Sequence, residues 1–65
     1  MPYRSLKAYR RANHLSQRDA AALVRVTQSE WSRIERGQRR PHLPLAKRIA
    51  KRTGMSLLKI LGVDG

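Results

Sequence analysis

The chain contains no cysteine, which excludes disulfides and thiolate zinc sites, and its two isolated histidines, His14 and His42, cannot supply a metal cage. No metal or other cofactor is expected. Acidic residues are scarce as well: four Asp and Glu face fifteen Lys and Arg, giving a formal charge of +11 and a pI near 11.8. That imbalance exceeds what solubility requires and points to an anionic partner, either nucleic acid or an anionic membrane. Long apolar runs are missing too. The longest, residues 20–24, falls far short of the roughly 20 residues of a spanning helix and is short even for a signal-peptide core. The chain is therefore expected to be soluble and cytoplasmic, with no membrane partner. Residues 1–18 are Arg-rich and acid-free, the pattern of an organelle transit peptide, but their removal would leave too little to fold. With 65 residues, 40% of them apolar, the chain can build one small domain over 1–65 with one core and no deep pocket, which argues against an enzyme.

What is present is helical punctuation. Pro2 sits where a helix can begin, and Tyr3, Leu6, Tyr9, Arg10 and Asn13 recur at helical spacing, predicting a first helix over about 3–12. Ser16 opens "SQRD", a capping box in which the hydroxyl and the acid three residues on satisfy free backbone N–H groups, so a second helix runs over about 17–24. Thr27 opens another such box, "TQSE", and a third helix covers about 28–36 and stops at Gly37. Two short helices so closely joined make a helix-turn-helix. "GQRRPHLP" is a loop fixed by Gly37, Pro41 and Pro44. A fourth helix follows over about 44–53, with Ala46, Ile49, Ala50 and Thr53 at core spacing and Gly54 as its left-handed terminator. Ser56 caps a last helix over 57–61. With no strand signal and no repeat, the fold class is an all-α compact five-helix bundle.

On the third helix, Trp31 and Ile34 fall on one side with Thr27 above them, while Ser29, Ser32, Arg33 and Arg36 fall on the other. The periodicity favours Trp31 as a core anchor over the stacking platform of a single-strand binder. A buried indole needs small neighbours, which Ala20, Ala21 and Ala22 supply. The polar row is either a solvated face or a surface that enters the DNA major groove and touches base edges; the basicity of the chain favours the second.

From Leu15 to Leu61, "LSQRDAAALVRVTQSEWSRIERGQRRPHLPLAKRIAKRTGMSLLKIL" resembles the five-helix DNA-binding domain of the Cro and phage-repressor (XRE) family, above all in "LSQ", the small Ala21, "SRIERGQRRP" and "TGMSLLKIL". The resemblance implies roles position by position. Gln17 becomes a phosphate-contacting and buttressing residue, and Gln28 and Ser29 become base readers with Ser32 and Arg33 one turn further in. Ser16, Arg36, Gln38, Arg39 and Arg40 would meet phosphates at the groove edges. Arg10 and Glu35 match an ion pair between the first helix and the end of the third. Leu57, Ile60 and Leu61 match the segment that helps form a two-fold dimer, and Leu58 adds to an apolarity that exceeds what the edge of one small core requires. Side-chain chemistry agrees: Gln28 can make two hydrogen bonds to adenine N6 and N7, and Arg33 can grip guanine O6 and N7. His14 and His42 have no readable catalytic partner and are assigned structural or solvent roles.

Three features depart from the family pattern. Arg25 stands at the turn where glycine is usual. Ala20 and Trp31 replace a common leucine and a common isoleucine or valine, an exchange of volume. Lys47 with Lys51 and Arg48 with Arg52 are like-charge pairs at i, i+4, read as a solvated face that raises the steering potential, with a second anionic surface as the alternative.

The expected function is a sequence-specific double-stranded DNA-binding regulator of transcription, most simply a repressor, acting as a homodimer on a pseudo-palindromic operator. The chain ends soon after its fifth helix, so no sensing domain is expected. The rivals are an antitoxin-like module with a toxin partner, non-specific nucleic-acid coating and a cationic membrane-active peptide.

Overall fold

Four helices begin where a side chain takes up a free backbone N–H. The computed structural model describes residues 3–61; Pro2, singled out by sequence as a helix start, lies outside them. The helices are α1 (Leu6–Ala12), α2 (Gln17–Leu23), α3 (Gln28–Glu35), α4 (Leu43–Thr53) and α5 (Leu57–Leu61), and no strand occurs among the described residues. Ser5 Oγ accepts from the Ala8 N–H at 3.0 Å, which starts α1 later than the periodicity predicts. Tyr3 stays outside the helix, edge-on to Tyr9 with ring centres 5.2 Å apart. At α2 the capping box is complete: Ser16 Oγ accepts from the Asp19 N–H at 3.0 Å, and Asp19 Oδ2 accepts from the Ser16 N–H at 3.2 Å. At α3 only half of the expected box forms. Thr27 Oγ1 accepts from the Glu30 N–H at 3.1 Å, but the Glu30 carboxylate turns instead to Arg39, 2.6 Å away. His42 does the work of Ser or Thr at α4, its Nδ1 accepting from the Leu45 N–H at 3.2 Å.

The first three helices end in one shared device, a Schellman motif in which the second residue past the cap donates to a carbonyl in the last turn. Leu15 donates to Arg10, Val26 to Ala21 and Gln38 to Arg33, at 2.9, 3.0 and 2.9 Å. The residue before each donor is left-handed: His14 at φ 57°, Arg25 at φ 62° and Gly37 at φ 76°. Only Gly37 takes that conformation freely. A side chain in this region costs about 1–2 kcal/mol, against which glycine's greater unfolded freedom offsets about 0.4–1 kcal/mol. Arg25→Gly is therefore expected to raise stability by about 0.5 kcal/mol, a Tm increase of about 2–4 °C. A thermal melt checks this; an unchanged or lower Tm would mean that the Arg25 side chain contributes more than its backbone loses.

The core gathers α2, α3 and α4, with α1 and α5 closing its sides. Trp31, Ile49 and Val24 are the largest fully buried side chains, joined by Ala20, Ala21, Leu45, Ala46, Ile34 and Met55. Ala22 does not join them. Ala20, Ala21 and Val24 form the buried stripe of α2 and the helical turn carries Ala22 into solvent, so two alanines rather than three meet the core. Thr53 is buried but satisfied, its hydroxyl donating to the Ile49 carbonyl at 2.8 Å and accepting from the Met55 N–H at 3.1 Å.

Candidate nucleic-acid interface

The orientation of α3 is fixed by one buried carboxylate at its last residue. Glu35, whose side chain is 4% exposed, receives two hydrogen bonds from Arg10, Nε to Oε2 at 2.9 Å and Nη2 to Oε1 at 3.0 Å. The indole N–H of Trp31 donates to Oε2 at 2.6 Å, and Gln17 Nε2 donates to Oε1 at 3.4 Å. A single carboxylate thus ties α1, α2 and α3 together. Arg10 reaches further, its Nη1 donating to the Leu15 carbonyl at 3.2 Å, in the connection between α1 and α2. Burial alone would push the Glu35 carboxyl up, but the hydrogen bonds from Arg10, Trp31 and Gln17 and the charge of Arg10 outweigh it and hold the group below its ordinary 4.5. Sequence placed Arg10 opposite Glu35. It missed Trp31 and Gln17 as donors, although Trp31 and Glu35 stand at i, i+4 on one helix.

With its inner side pinned, α3 presents the opposite side outward. Gln28, Ser29 and Arg33 are exposed and Ser32 is half-buried. These four line one open hollow together with Arg36 and Gln17. The structure therefore brings together all four expected base readers and two of the expected phosphate contacts, with no acid among the lining residues. Donors, hydroxyls and guanidinium forks in this arrangement match the edges of bases and the phosphates beside them.

The remaining phosphate candidates lie at the margins. The Ser16 hydroxyl accepts from its own helix, which leaves its proton to offer a phosphate. Arg36 folds back, its Nε donating to the Ser32 carbonyl at 3.4 Å. Gln38, Arg39 and Arg40 are exposed beyond Gly37. Arg39 is not free: its pair with Glu30 neutralises the one acid in the first turn of α3. With Arg39 half-exposed, that pair contributes about 0–1 kcal/mol to stability.

At the other end of the chain, Leu58 is among the most exposed large apolar side chains, whereas Leu57 and Leu61 are half-buried against the core. Ile60 is buried within its own chain. Of the four expected dimer residues, Leu58 with the edges of Leu57 and Leu61 is thus presented outward. Among the described residues no cluster of His, Asp and Glu could hold a metal ion, and no helix is long and apolar enough to cross a membrane.

Compared with known proteins, residues 4–65 match a family described as a helix-turn-helix domain. No curated protein and no solved structure matches the chain.

Proposed function

The chain belongs to the helix-turn-helix domain family, and on that footing we propose that it is a sequence-specific regulator of transcription of the Cro and phage-repressor (XRE) type, most simply a cytoplasmic repressor. One observation carries the reading. The outward side of α3 sets Gln28, Ser29, Ser32 and Arg33 in one acid-free hollow, while Glu35 at the end of the same helix is held by donors from three helices. Base recognition needs such side chains on a rigid element, because each bidentate contact discriminates by about 1–3 kcal/mol only when its geometry is fixed. A homodimer joined through Leu58 and its neighbours would place two such helices on half-sites about one turn of DNA apart, on a pseudo-palindromic operator.

Reading and gripping separate in two variants. Arg33→Ala is expected to cost about 1–3 kcal/mol on the preferred duplex and to relax the preference at one position of each half-site. Arg40→Ala should weaken all sequences alike and flatten the slope of log affinity against log salt by about 0.9 for each phosphate that is no longer neutralised. Salt titrations on operator and scrambled duplexes compare them. Equal losses on both duplexes for Arg33→Ala, with base preference intact, would make Arg33 a phosphate contact and leave reading to Gln28, Ser29 and Ser32.

A further inference from the structure

A second open hollow, sharing no residue with the first, is lined by Leu23, Arg25, Arg48, Lys51 and Arg52. It lies at the far end of α2: Gln17, the first residue of that helix, borders the hollow beside α3, and Leu23, the last, borders this one, about 9 Å along the axis. Arg48 joins its two walls, its Nε donating to the Val24 carbonyl at 3.2 Å. Three features make the hollow costly to the isolated chain. Arg25 occupies a left-handed position, φ 62°, which glycine fills without strain. Arg48 and Arg52, like Lys47 and Lys51, repel one another across a turn of α4. Leu23 stays 37% exposed among the cations that line the hollow.

No counter-charge comes from the described part of the chain. Asp19 closes the box at α2, Glu30 pairs with Arg39 and Glu35 is buried on Arg10. Of these three only Asp19 is exposed without a cationic partner, and it sits in the first turn of α2, away from the end that borders this hollow. We propose that it docks an acidic segment of another protein, with an apolar side chain seated on Leu23 and carboxylates on Arg25, Lys51 and Arg52. A duplex keeps its base edges inside its grooves, where the outward side of α3 is suited to enter, and offers Leu23 little beyond charge. Because the two hollows are separate, the acidic partner can dock while α3 is on DNA.

The test titrates isotope-labelled protein with a short peptide carrying leucines at i and i+4 among Glu and Asp, with its Gln and Asn counterpart, and with a short duplex. The acidic peptide is expected to shift the amides of residues 22–26 and 48–52, and the neutral one to leave them in place. Lys51→Glu should weaken the acidic peptide about tenfold or more, and Arg25→Gly about threefold. Both positions are exposed, and a thermal melt verifies that each variant folds. Shifts confined to the α3 hollow, equal binding of the neutral peptide, or unchanged affinity in both folded variants would overturn the proposal. Shifts of the same amides by the duplex as strong as those by the acidic peptide would make the hollow a nucleic-acid surface instead.

Discussion

Trp31→Ala is expected to cost about 3–5 kcal/mol, a large part of the roughly 3–10 kcal/mol that stabilises a chain of this length, so the variant should be largely unfolded or melt far below wild type. Two losses combine. The indole is fully buried, and its removal leaves a cavity in the cluster that also holds Ala20, Ala21, Ala46 and Ile49. Its N–H also supplies one of the four hydrogen bonds on Glu35, at 2.6 Å, and a buried carboxylate short of a donor carries its own penalty. The double change Ala20→Leu with Trp31→Ile restores volume but not the donor, and should recover only part of the loss. Urea or thermal melts decide. Wild-type melting by Trp31→Ala together with lost nucleic-acid binding would turn the tryptophan into a stacking platform and contradict its place in the core.

Breaking the carboxylate hub should be almost as severe. Arg10→Ala leaves Glu35, 4% exposed, without its charged partner, and removal of one member of a buried pair costs about 3–5 kcal/mol. A double-mutant cycle with Glu35→Gln should show coupling well above the roughly 0.5 kcal/mol of exposed pairs. The pH dependence carries a second signature. In wild type the Glu35 carboxyl lies below its ordinary 4.5, so its stabilisation is present above that value and is lost as pH falls through the depressed one. In Arg10→Ala both lowering contributions of Arg10, its hydrogen bonds and its charge, are gone, so the carboxyl lies higher than in wild type and acid destabilises the variant less. The gap between the two melts should therefore narrow from neutral pH to about pH 4. Additive single effects and a gap independent of pH would mean that the two side chains do not support one another.

Much of this arrangement is legible in the sequence because it rests on local chemistry. Ser16, Thr27, Gly37 and Gly54 mark helix ends through caps whose geometry spans only a few residues, and the apolar period of α3 separates Trp31 from Ser29 and Arg33. Features set by tertiary contact or by one-residue phase are less legible. Glu30 fits the capping box by spacing, but Arg39 arrives from beyond Gly37 and takes its carboxylate. Gln17 is anticipated as a phosphate-contacting and buttressing residue, but that its amide bonds to Glu35 of the next helix depends on tertiary packing. Ala22 is one position from the buried stripe, and a helix converts that step into about 100° of rotation, from core to solvent. Ile60 fits a dimer surface by its apolarity and by the resemblance; whether an apolar residue covers its own core or another chain depends on how α5 packs, and Ile60 is buried within its own chain.

Base reading by the outward side of α3 is tested most directly by selection of bound sequences from a random pool of duplex DNA by the unmodified chain. The expected result is a palindromic consensus whose half-sites lie about one helical turn apart, with the preference relaxed at one position of each half when Arg33→Ala replaces the unmodified chain. A pool that remains random while binding stays strongly salt-dependent would contradict this reading, because attraction by charge alone would then explain the affinity and the outward side of α3 would read nothing.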